Sequence, residues 1–115
     1  MPDPDCLFCK MHAGDIPVDV VARNDLAFAI RDINPRAPIH ALIIPNEHIP
    51  TAADLTADHG DALAAVFTLA SEVARIEGVS EAGYRLALNV GDAAGMTIPH
   101  LHLHLVGGRK LGPEG

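Results

Sequence analysis

The sequence predicts a single domain, spanning residues 1–115, that mixes helices and strands. A chain of 115 residues is long enough for one domain. Histidines and leucines alternate strictly over residues 100–105, a period of two that is typical of a strand. Apolar residues in 57–77 instead recur with the spacing of an amphipathic helix. Both periods within one domain-sized chain indicate a sheet packed against helices.

Composition narrows the class of protein. Nearly half of the residues are apolar (49%), which is enough for a packed core, and the formal net charge is −7. An acidic chain is poorly suited to bind nucleic-acid polymers, whereas a small phosphorylated ligand needs only a few local donors. No segment approaches the roughly 20 apolar residues of a membrane span, and the acidic start lacks a signal-peptide pattern. We expect a cytoplasmic protein that does not associate with membranes.

The first half of the chain predicts a short helix and three strands. Residues 6–13 form the helix, which Gly14 ends. Two apolar runs, at 18–22 and 26–30, flank a turn-forming Asn-Asp pair and predict a hairpin. The third strand covers 39–44, and its nearly continuous apolar character indicates burial on both faces. We expect His40 to hydrogen-bond within this strand.

The long helix is predicted from about Ala57 to Glu77. Thr56 is a suitable N-cap, and Gly78 suits the position just beyond the C-terminus. The core-facing stripe comprises Leu63, Val66, Phe67, Ala70, Val73 and Ala74. Leu69 and Ile76 widen this stripe beyond what one sheet face covers. Another subunit or a covering loop would account for the extra width.

The C-terminal part predicts a fourth strand at 84–90, a loop of small residues, and the histidine-rich strand from His100. Successive side chains of a strand point to opposite faces, so the leucines have a core side and the three imidazoles share the other. Adjacent imidazoles pack poorly and repel once protonated. We expect them to serve a metal, an anion or a covalent reaction.

The two cysteines form a Cys-x-x-Cys pair, Cys6 and Cys9, in the short helix. Residues three apart on a helix are neighbours. In a reducing compartment such a pair is more typical of a metal or redox site than of a structural disulfide.

The motifs of the chain resemble, in order, those of the histidine triad (HIT) superfamily, most closely its Hint-like branch with the bacterial members. They cover nearly the whole chain and are Cys6-Leu7-Phe8-Cys9, Gly14-Asp15-Ile16-Pro17, Leu26-Ala27-Phe28 before Asp32-Ile33-Asn34-Pro35, Pro38-x-His40, Ile44-Pro45-x-x-His48-Ile49, Asn89-x-Gly91, His100-x-His102-x-His104 and Gly107-Gly108-Arg109. The resemblance implies an α+β fold with an antiparallel sheet of about five strands, one long and one short helix, and a homodimer with a continuous ten-stranded sheet and the long helices at its interface.

The resemblance also implies an activity. Family members bind purine nucleotides and cleave at the α-phosphate, typically releasing a nucleoside monophosphate from a phosphoramidate such as an adenosine phosphoramidate. His102 matches the nucleophile that forms a nucleotidyl-histidine, and His104 matches its phosphate-side partner. The nucleotide-binding positions carried over are Leu7 and Phe8 for the base, Asp32 with Ile33 and Asn34 for the ribose, and Asn89, Gly95, Met96 and Thr97 in the phosphate-side loop. Met96 replaces the usual Gln, and the tail after Arg109 lacks the Trp of many eukaryotic relatives.

In several bacterial members of the family, the positions of Cys6, Cys9, His48 and His100 bind zinc. Such a closed set of four ligands would make the zinc structural, and it would hold the short helix against the sheet.

Three other functions remain open at this stage. The first alternative is a dinucleoside polyphosphate hydrolase. The second is a nucleotide-binding regulatory module with little turnover, and the third is an enzyme that uses the three histidines as a metal site. The strict i, i+2, i+4 histidine pattern lacks an accompanying carboxylate ligand, which disfavours the last of these.

Overall fold

The structure, a computed structural model, describes residues 3–114 of the chain. This part contains two α-helices and five strands: α1 (Leu7–Ala13), β1 (Val20–Arg23), β2 (Ala27–Arg31), β3 (Ile39–Pro45), α2 (Gly60–Ile76), β4 (Tyr84–Ala87) and β5 (Leu103–Gly107). Single 3-10 turns lie at Ala52–Asp54, Ala57–His59 and Asp92–Ala94. The predicted α+β class with a five-stranded antiparallel sheet is confirmed.

The strands form one antiparallel sheet in the order β1-β2-β3-β5-β4. The predicted hairpin joins β1 to β2, and the Asn24 side chain organises its turn by accepting hydrogen bonds from two backbone N–H groups, those of Leu26 and Ala27. β5 is inserted between β3 and β4, so the histidine-rich segment crosses the middle of the sheet. Within the described chain, β1 and β4 are the two edges of the sheet.

Each face of the sheet is covered by one helix. α2 packs on the face that carries Ala41 and Ile43 of β3 with Leu103 and Leu105 of β5. α1 contributes Phe8 and Cys9 to a second cluster on the other face, with Leu42 and Ile44. β3 is therefore buried on both sides, as its apolar run predicts. The alternation of β5 sends the leucines toward α2 and leaves the histidines on the α1 face.

The predicted stripe of α2 is partly wrong. Leu69 is fully buried in the core, whereas Phe67 is 40% exposed and lies at the border of the packed face. When the apolar stripe of a helix is wide, the spacing of its residues leaves the centre of the buried face uncertain by about one residue. Packing against the sheet determines which residues of the stripe are buried. The N-terminus also differs, because Thr56 caps the 3-10 turn at Ala57–His59 and α2 begins at Gly60.

The last two strands are shorter than predicted. β4 ends at Ala87, and β5 begins at Leu103 rather than at His100. β3 pairs with β5 as far as Ile43 opposite Leu103 and ends two residues later at Pro45, which has no N–H to extend the ladder. Residues 100–102 therefore precede the paired strand.

Among residues 3–114, no helix combines the length and the apolar character that crossing a bilayer requires.

Candidate active site and metal centre

A cleft of about 480 Å³ opens on the α1 face of the sheet, beside β5. Every predicted nucleotide-binding residue except Met96 lines it, and so do Met11, Ile30, Arg31, Arg36, Leu42 and Ile98, which were not predicted. The two apolar residues Leu7, in α1, and Ile33, in the loop after β2, are 39% and 92% exposed. The cleft thus combines exposed apolar side chains with His102, His104 and the polar residues of two loops.

His102 is held by the backbone just before it. Its Nδ1 lies 2.7 Å from the carbonyl oxygen of His100, which only accepts, so Nδ1 carries the proton and donates it. The other nitrogen, Nε2, then has its lone pair free. The Phe8 ring packs edge-on against the imidazole, with the ring centroids 5.1 Å apart. The structure therefore places an oriented imidazole in the cleft, with Nδ1 held by the backbone and Nε2 available for chemistry.

His104 is oriented by a chain of hydrogen bonds through His40. The N–H of Arg36 donates to Nδ1 of His40 over 3.1 Å, so neutral His40 keeps its proton on Nε2. That Nε2 lies 3.0 Å from Nδ1 of His104, which must accept. Neutral His104 therefore carries its own proton on Nε2.

Burial favours the neutral form of both histidines. It lowers the pKa of His104 to about 4, and the neighbouring His102, His40 and Arg36 reinforce the shift. Burial also lowers the pKa of His40, against the attraction of Asp32, whose carboxylate is 3.4 Å from Nε2. The proton positions deduced above therefore describe the ligand-free site at neutral pH.

The Asp32 carboxylate stands at the mouth of the cleft. One oxygen accepts from the backbone N–H of Asn34 over 2.8 Å, and the other faces His40. These two contacts set the orientation of the side chain, which is half-buried and retains lone pairs toward the cleft.

The small-residue loop between β4 and β5 closes on itself. The N–H groups of Ala94, Gly95 and Met96 all donate to carbonyls within the loop. Gly91 and Gly95 have positive φ angles of 83° and 86°, which a side chain would strain. Gly95 and Thr97 thus present the edge of a tight loop to the cleft, while Met96 does not line it.

A second cluster lies where α1, the end of β3 and the start of the triad meet. The ligand atoms of Cys6, Cys9, His48 and His100 all lie within 4.8 Å of one another. Nδ1 of His100 is 3.3 Å from the Cys6 Sγ and 3.1 Å from Nδ1 of His48, and the Cys9 Sγ is 3.3 Å from Nδ1 of His48. A tetrahedral zinc ion with ordinary bond lengths separates its S and N ligands by about 3.5 Å. The sulfur–nitrogen distances in this cluster are close to that value, so the four ligand atoms are near enough to one another to hold one metal ion.

The protonation of His100 also suits a ligand. Its Nε2 lies 2.8 Å from the carbonyl oxygen of Pro45 and donates to it, which leaves the Nδ1 lone pair directed at the cysteines. Burial lowers the pKa of His100 to about 4 and raises the pKa of the Cys6 thiol. These four residues are close enough, and chemically suited, to hold a metal ion.

Sequence reasoning missed the two polar residues that contact Nδ1 of His104, which are His40 and Arg36. His40 does not bond within its own strand as expected; it reaches across to β5, because Leu42 is paired with His104 and places residue 40 on the same face. The signal available in the sequence was a histidine within an otherwise apolar strand. The strand register, which decides its partner, is not encoded locally.

Comparison with known proteins agrees with this geometry. The HIT domain model matches residues 13–111. The purine nucleoside phosphoramidase of Escherichia coli (strain K12) is 48% identical over 107 residues, which cover 93% of this chain and 90% of that protein.

Solved structures give the same result. A HIT family hydrolase from Legionella pneumophila Philadelphia 1 superposes with a TM-score of 0.90 at 46% identity, covering 94% of this chain and 96% of the other. A HIT family hydrolase from Clostridium thermocellum gives a TM-score of 0.93 at 41% identity, covering 97% of both chains. The prediction of a HIT-family enzyme is confirmed: the chain belongs to the histidine triad family.

Proposed function

We propose that the protein hydrolyses purine nucleoside phosphoramidates, with His102 as the nucleophile. The observation that carries the proposal is the 2.7 Å hydrogen bond from His102 Nδ1 to the His100 carbonyl, because it orients a ring that lines the cleft and leaves Nε2 as the nitrogen for attack. The similarity to a protein named as a purine nucleoside phosphoramidase supports the same activity.

The cleft offers a site for each part of a nucleotide. Leu7, Phe8 and Ile33 provide apolar surface for the base. The Asp32 carboxylate accepts hydrogen bonds from the ribose hydroxyls. The α-phosphate then lies between His102 and His104, within reach of Asn89 and Thr97. The net charge of −7 favours this small ligand over a nucleic-acid polymer.

The first chemical step forms a covalent intermediate. Nε2 of His102 attacks the α-phosphorus as the phosphorus–nitrogen bond breaks, and the His100 carbonyl stabilises the N–H of the phosphorylated ring. His104 donates from Nε2 to a phosphoryl oxygen, and the bound phosphate raises its pKa by its negative charge. Once protonated, His104 passes its proton to the departing nitrogen, which leaves as an amine.

The second step regenerates the site. Water attacks the phosphorus of the nucleotidyl-histidine, His102 leaves as a neutral imidazole, and His104 takes the proton of the water. The products are one nucleoside monophosphate and one amine.

We also propose that Cys6, Cys9, His48 and His100 bind a structural zinc ion. The support is the tetrahedral spacing of two sulfur and two nitrogen ligands and the free Nδ1 lone pair of His100. With four protein ligands the metal has no open position for water, so its contribution is to hold α1 against the sheet. The thiolates this site needs favour a reducing compartment, the cytoplasm.

A homodimer completes the proposal. Phe67 and Ile76, on opposite borders of the packed face of α2, are 40% and 49% exposed. β1 and β4 leave backbone groups unpaired at the edges of the described sheet. Contact between two copies through α2 and a sheet edge would cover both features.

The decisive experiment replaces the nucleophile. We expect His102→Ala to lower AMP release from adenosine 5′-phosphoramidate by about 10³-fold or more while retaining AMP binding by calorimetry. His12→Ala is the matched control, because His12 is exposed and does not line the cleft. Acid-quenched wild-type enzyme should carry a nucleotidyl adduct on His102 in its mass spectrum. Turnover by His102→Ala near the wild-type rate would rule out the mechanism.

A further inference from the structure

A second cleft of about 380 Å³ adjoins the nucleotide cleft. It lies between the sheet and the C-terminal tail and is lined by Arg36, Ala37, Arg85, Ala87, Asn89, Ala94, His104, Val106, Arg109, Leu111, Gly112 and Pro113. Three of these residues, Arg36, Asn89 and His104, line the nucleotide cleft as well. The two clefts are therefore continuous at the position proposed for the α-phosphate.

The charge of this second cleft is opposite to that of the chain. The sequence has 15 acidic residues against 8 Lys and Arg, yet three arginines and no carboxylate are found among the described residues lining the cleft. The nearest counter-charge is Glu114, whose carboxylate lies 3.6 Å from Arg85 and whose side chain is 83% exposed. A solvated carboxylate at this distance neutralises little of the local positive charge.

Few of the guanidinium donors are used within the protein. Arg85 donates one hydrogen bond to the Gly112 carbonyl, over 2.7 Å. Arg109 donates to the backbone carbonyls of Arg36 and Lys110. The Arg36 guanidinium lies 3.4 Å from Nδ1 of His104 and makes one contact there. Each guanidinium has five N–H groups in a fork that matches the oxygens of a carboxylate or phosphate. These arginines thus retain donors for an anion.

The proposed reaction leads to this cleft. In an in-line displacement at phosphorus, the leaving group departs on the side opposite the attacking atom. The second cleft includes His104, the residue that protonates the leaving nitrogen, but not His102. A leaving nitrogen that takes its proton from His104 is therefore next to the second cleft, which His104 lines together with the arginines.

We propose that this cleft is a leaving-group subsite that selects phosphoramidates whose amine portion carries an anionic group, a carboxylate or a phosphate, bound by Arg85 and Arg109. This inference rests on the proposed function, because it deepens the choice of substrate at the same site. An amino acid joined to the nucleotide through its nitrogen has the required chemistry.

Calorimetry on the His102→Ala variant tests the subsite without turnover. One ligand is AMP joined through nitrogen to β-alanine, and the matched control carries the primary amide in place of the carboxylate. We expect the carboxylate ligand to bind about tenfold more tightly, as a charge-assisted pair with arginine contributes. A third ligand carries a phosphate in place of the carboxylate. Whichever of the two anions fits the subsite better should show the larger gain in affinity over the amide ligand.

Substitution then assigns the preference to a residue. Arg85→Gln, in the same background, should bring the carboxylate and amide ligands to within about twofold of each other without weakening the amide ligand. Lys110→Gln is the charge-matched control, because Lys110 is on the same tail but does not line the cleft. It should leave the tenfold ratio intact.

The outcomes separate this inference from the proposed function. Equal affinities of all three ligands for the His102→Ala protein, or a preference that survives Arg85→Gln, would overturn the anionic subsite. If the anionic subsite is overturned in this way, turnover of the amide substrate by the wild-type enzyme would still support the proposed function. Failure of every ligand to bind would overturn both.

Discussion

The three histidines of the triad differ in which ring nitrogen a neighbour holds and in whether that nitrogen donates or accepts the hydrogen bond. The carbonyl of His100 holds Nδ1 of His102, the carbonyl of Pro45 holds Nε2 of His100, and Nε2 of His40 holds Nδ1 of His104. A free Nε2 lone pair suits attack on phosphorus, a free Nδ1 lone pair suits a metal, and an Nε2–H suits donation to a phosphate. Three identical residue types thereby acquire three chemistries.

His40 is predicted to act through His104. In His40→Ala, His104 loses the nearer of the two donors to its Nδ1, the other being the Arg36 guanidinium at 3.4 Å, so we expect kcat for AMP release to fall by about 10- to 100-fold with little change in KM. Steady-state kinetics measure kcat and KM separately. His59→Gln is the control, because His59 does not line the cleft. An unchanged kcat would show that the hydrogen bond has no role in positioning.

The buried histidines predict a pH dependence of stability. The pKa of His104 is about 4 in the folded protein and near 6.5 when unfolded, so the unfolded chain binds more protons between these values. The free energy of unfolding therefore rises with pH across this window, and stability is lost as the pH falls from about 6.5 toward 4. The lowered pKa of His40 acts in the same direction.

Urea unfolding of the wild type and of His104→Asn at pH 7.5, 6 and 5 measures this dependence. We expect the wild type to lose more stability than the variant on acidification, because the variant lacks one group that must be protonated. Contributions from a bound metal are common to both proteins and cancel in the difference. Parallel curves would show that His104 is not held neutral by the fold.

At the scale of elements, α1 is joined to the cluster of two cysteines and two histidines. It has seven residues, too few for an isolated helix to be stable, and Cys9 within it and Cys6 at its N-cap both belong to the cluster. Its Phe8 packs against the rings of both His100 and His102. Loosening α1 would therefore disturb the base side of the cleft and the packing of the nucleophile together.

We predict about one zinc ion per chain by elemental analysis, lost in Cys6→Ser and retained in His102→Ala. Chelation should lower Tm and weaken AMP binding, because α1 carries Leu7 and Phe8 into the cleft. Zinc that is lost with His102 but retained in Cys6→Ser would instead assign the metal to the triad.

At the scale of the whole molecule, the exposed border of α2 predicts self-association. We expect Phe67→Glu to convert a dimer into monomers in sedimentation experiments, because it places a charge in an apolar contact. Thr68→Glu, exposed on the outer side of the same helix, should leave the dimer intact. A wild-type protein that sediments as a monomer would contradict the proposed interface.

Much of the fold was predictable because it depends on local pattern. The period of two in the last strand correctly predicted which side chains face the core, and the apolar run of β3 correctly predicted its burial on both faces. Gly14 and Gly78, which were predicted to end the two helices, follow them with positive φ angles. The errors lie where a distant partner decides the outcome. β5 starts late because β3 ends in Pro45, and Leu69 replaces Phe67 in the core because the sheet lies nearer to it.

The sequence by itself determined the helices, the strands, the family and the residues available for chemistry, since all of these follow from nearest-neighbour geometry and ordered motifs. Only the tertiary structure decided which groups meet: Cys6 with His100, 94 residues away, and His40 with His104. It likewise decided which nitrogen of each imidazole a neighbour holds and placed three arginines in a cleft that His104 also lines. The physical reason is that strand register and packing join distant segments, and neither is written in any short stretch of the chain.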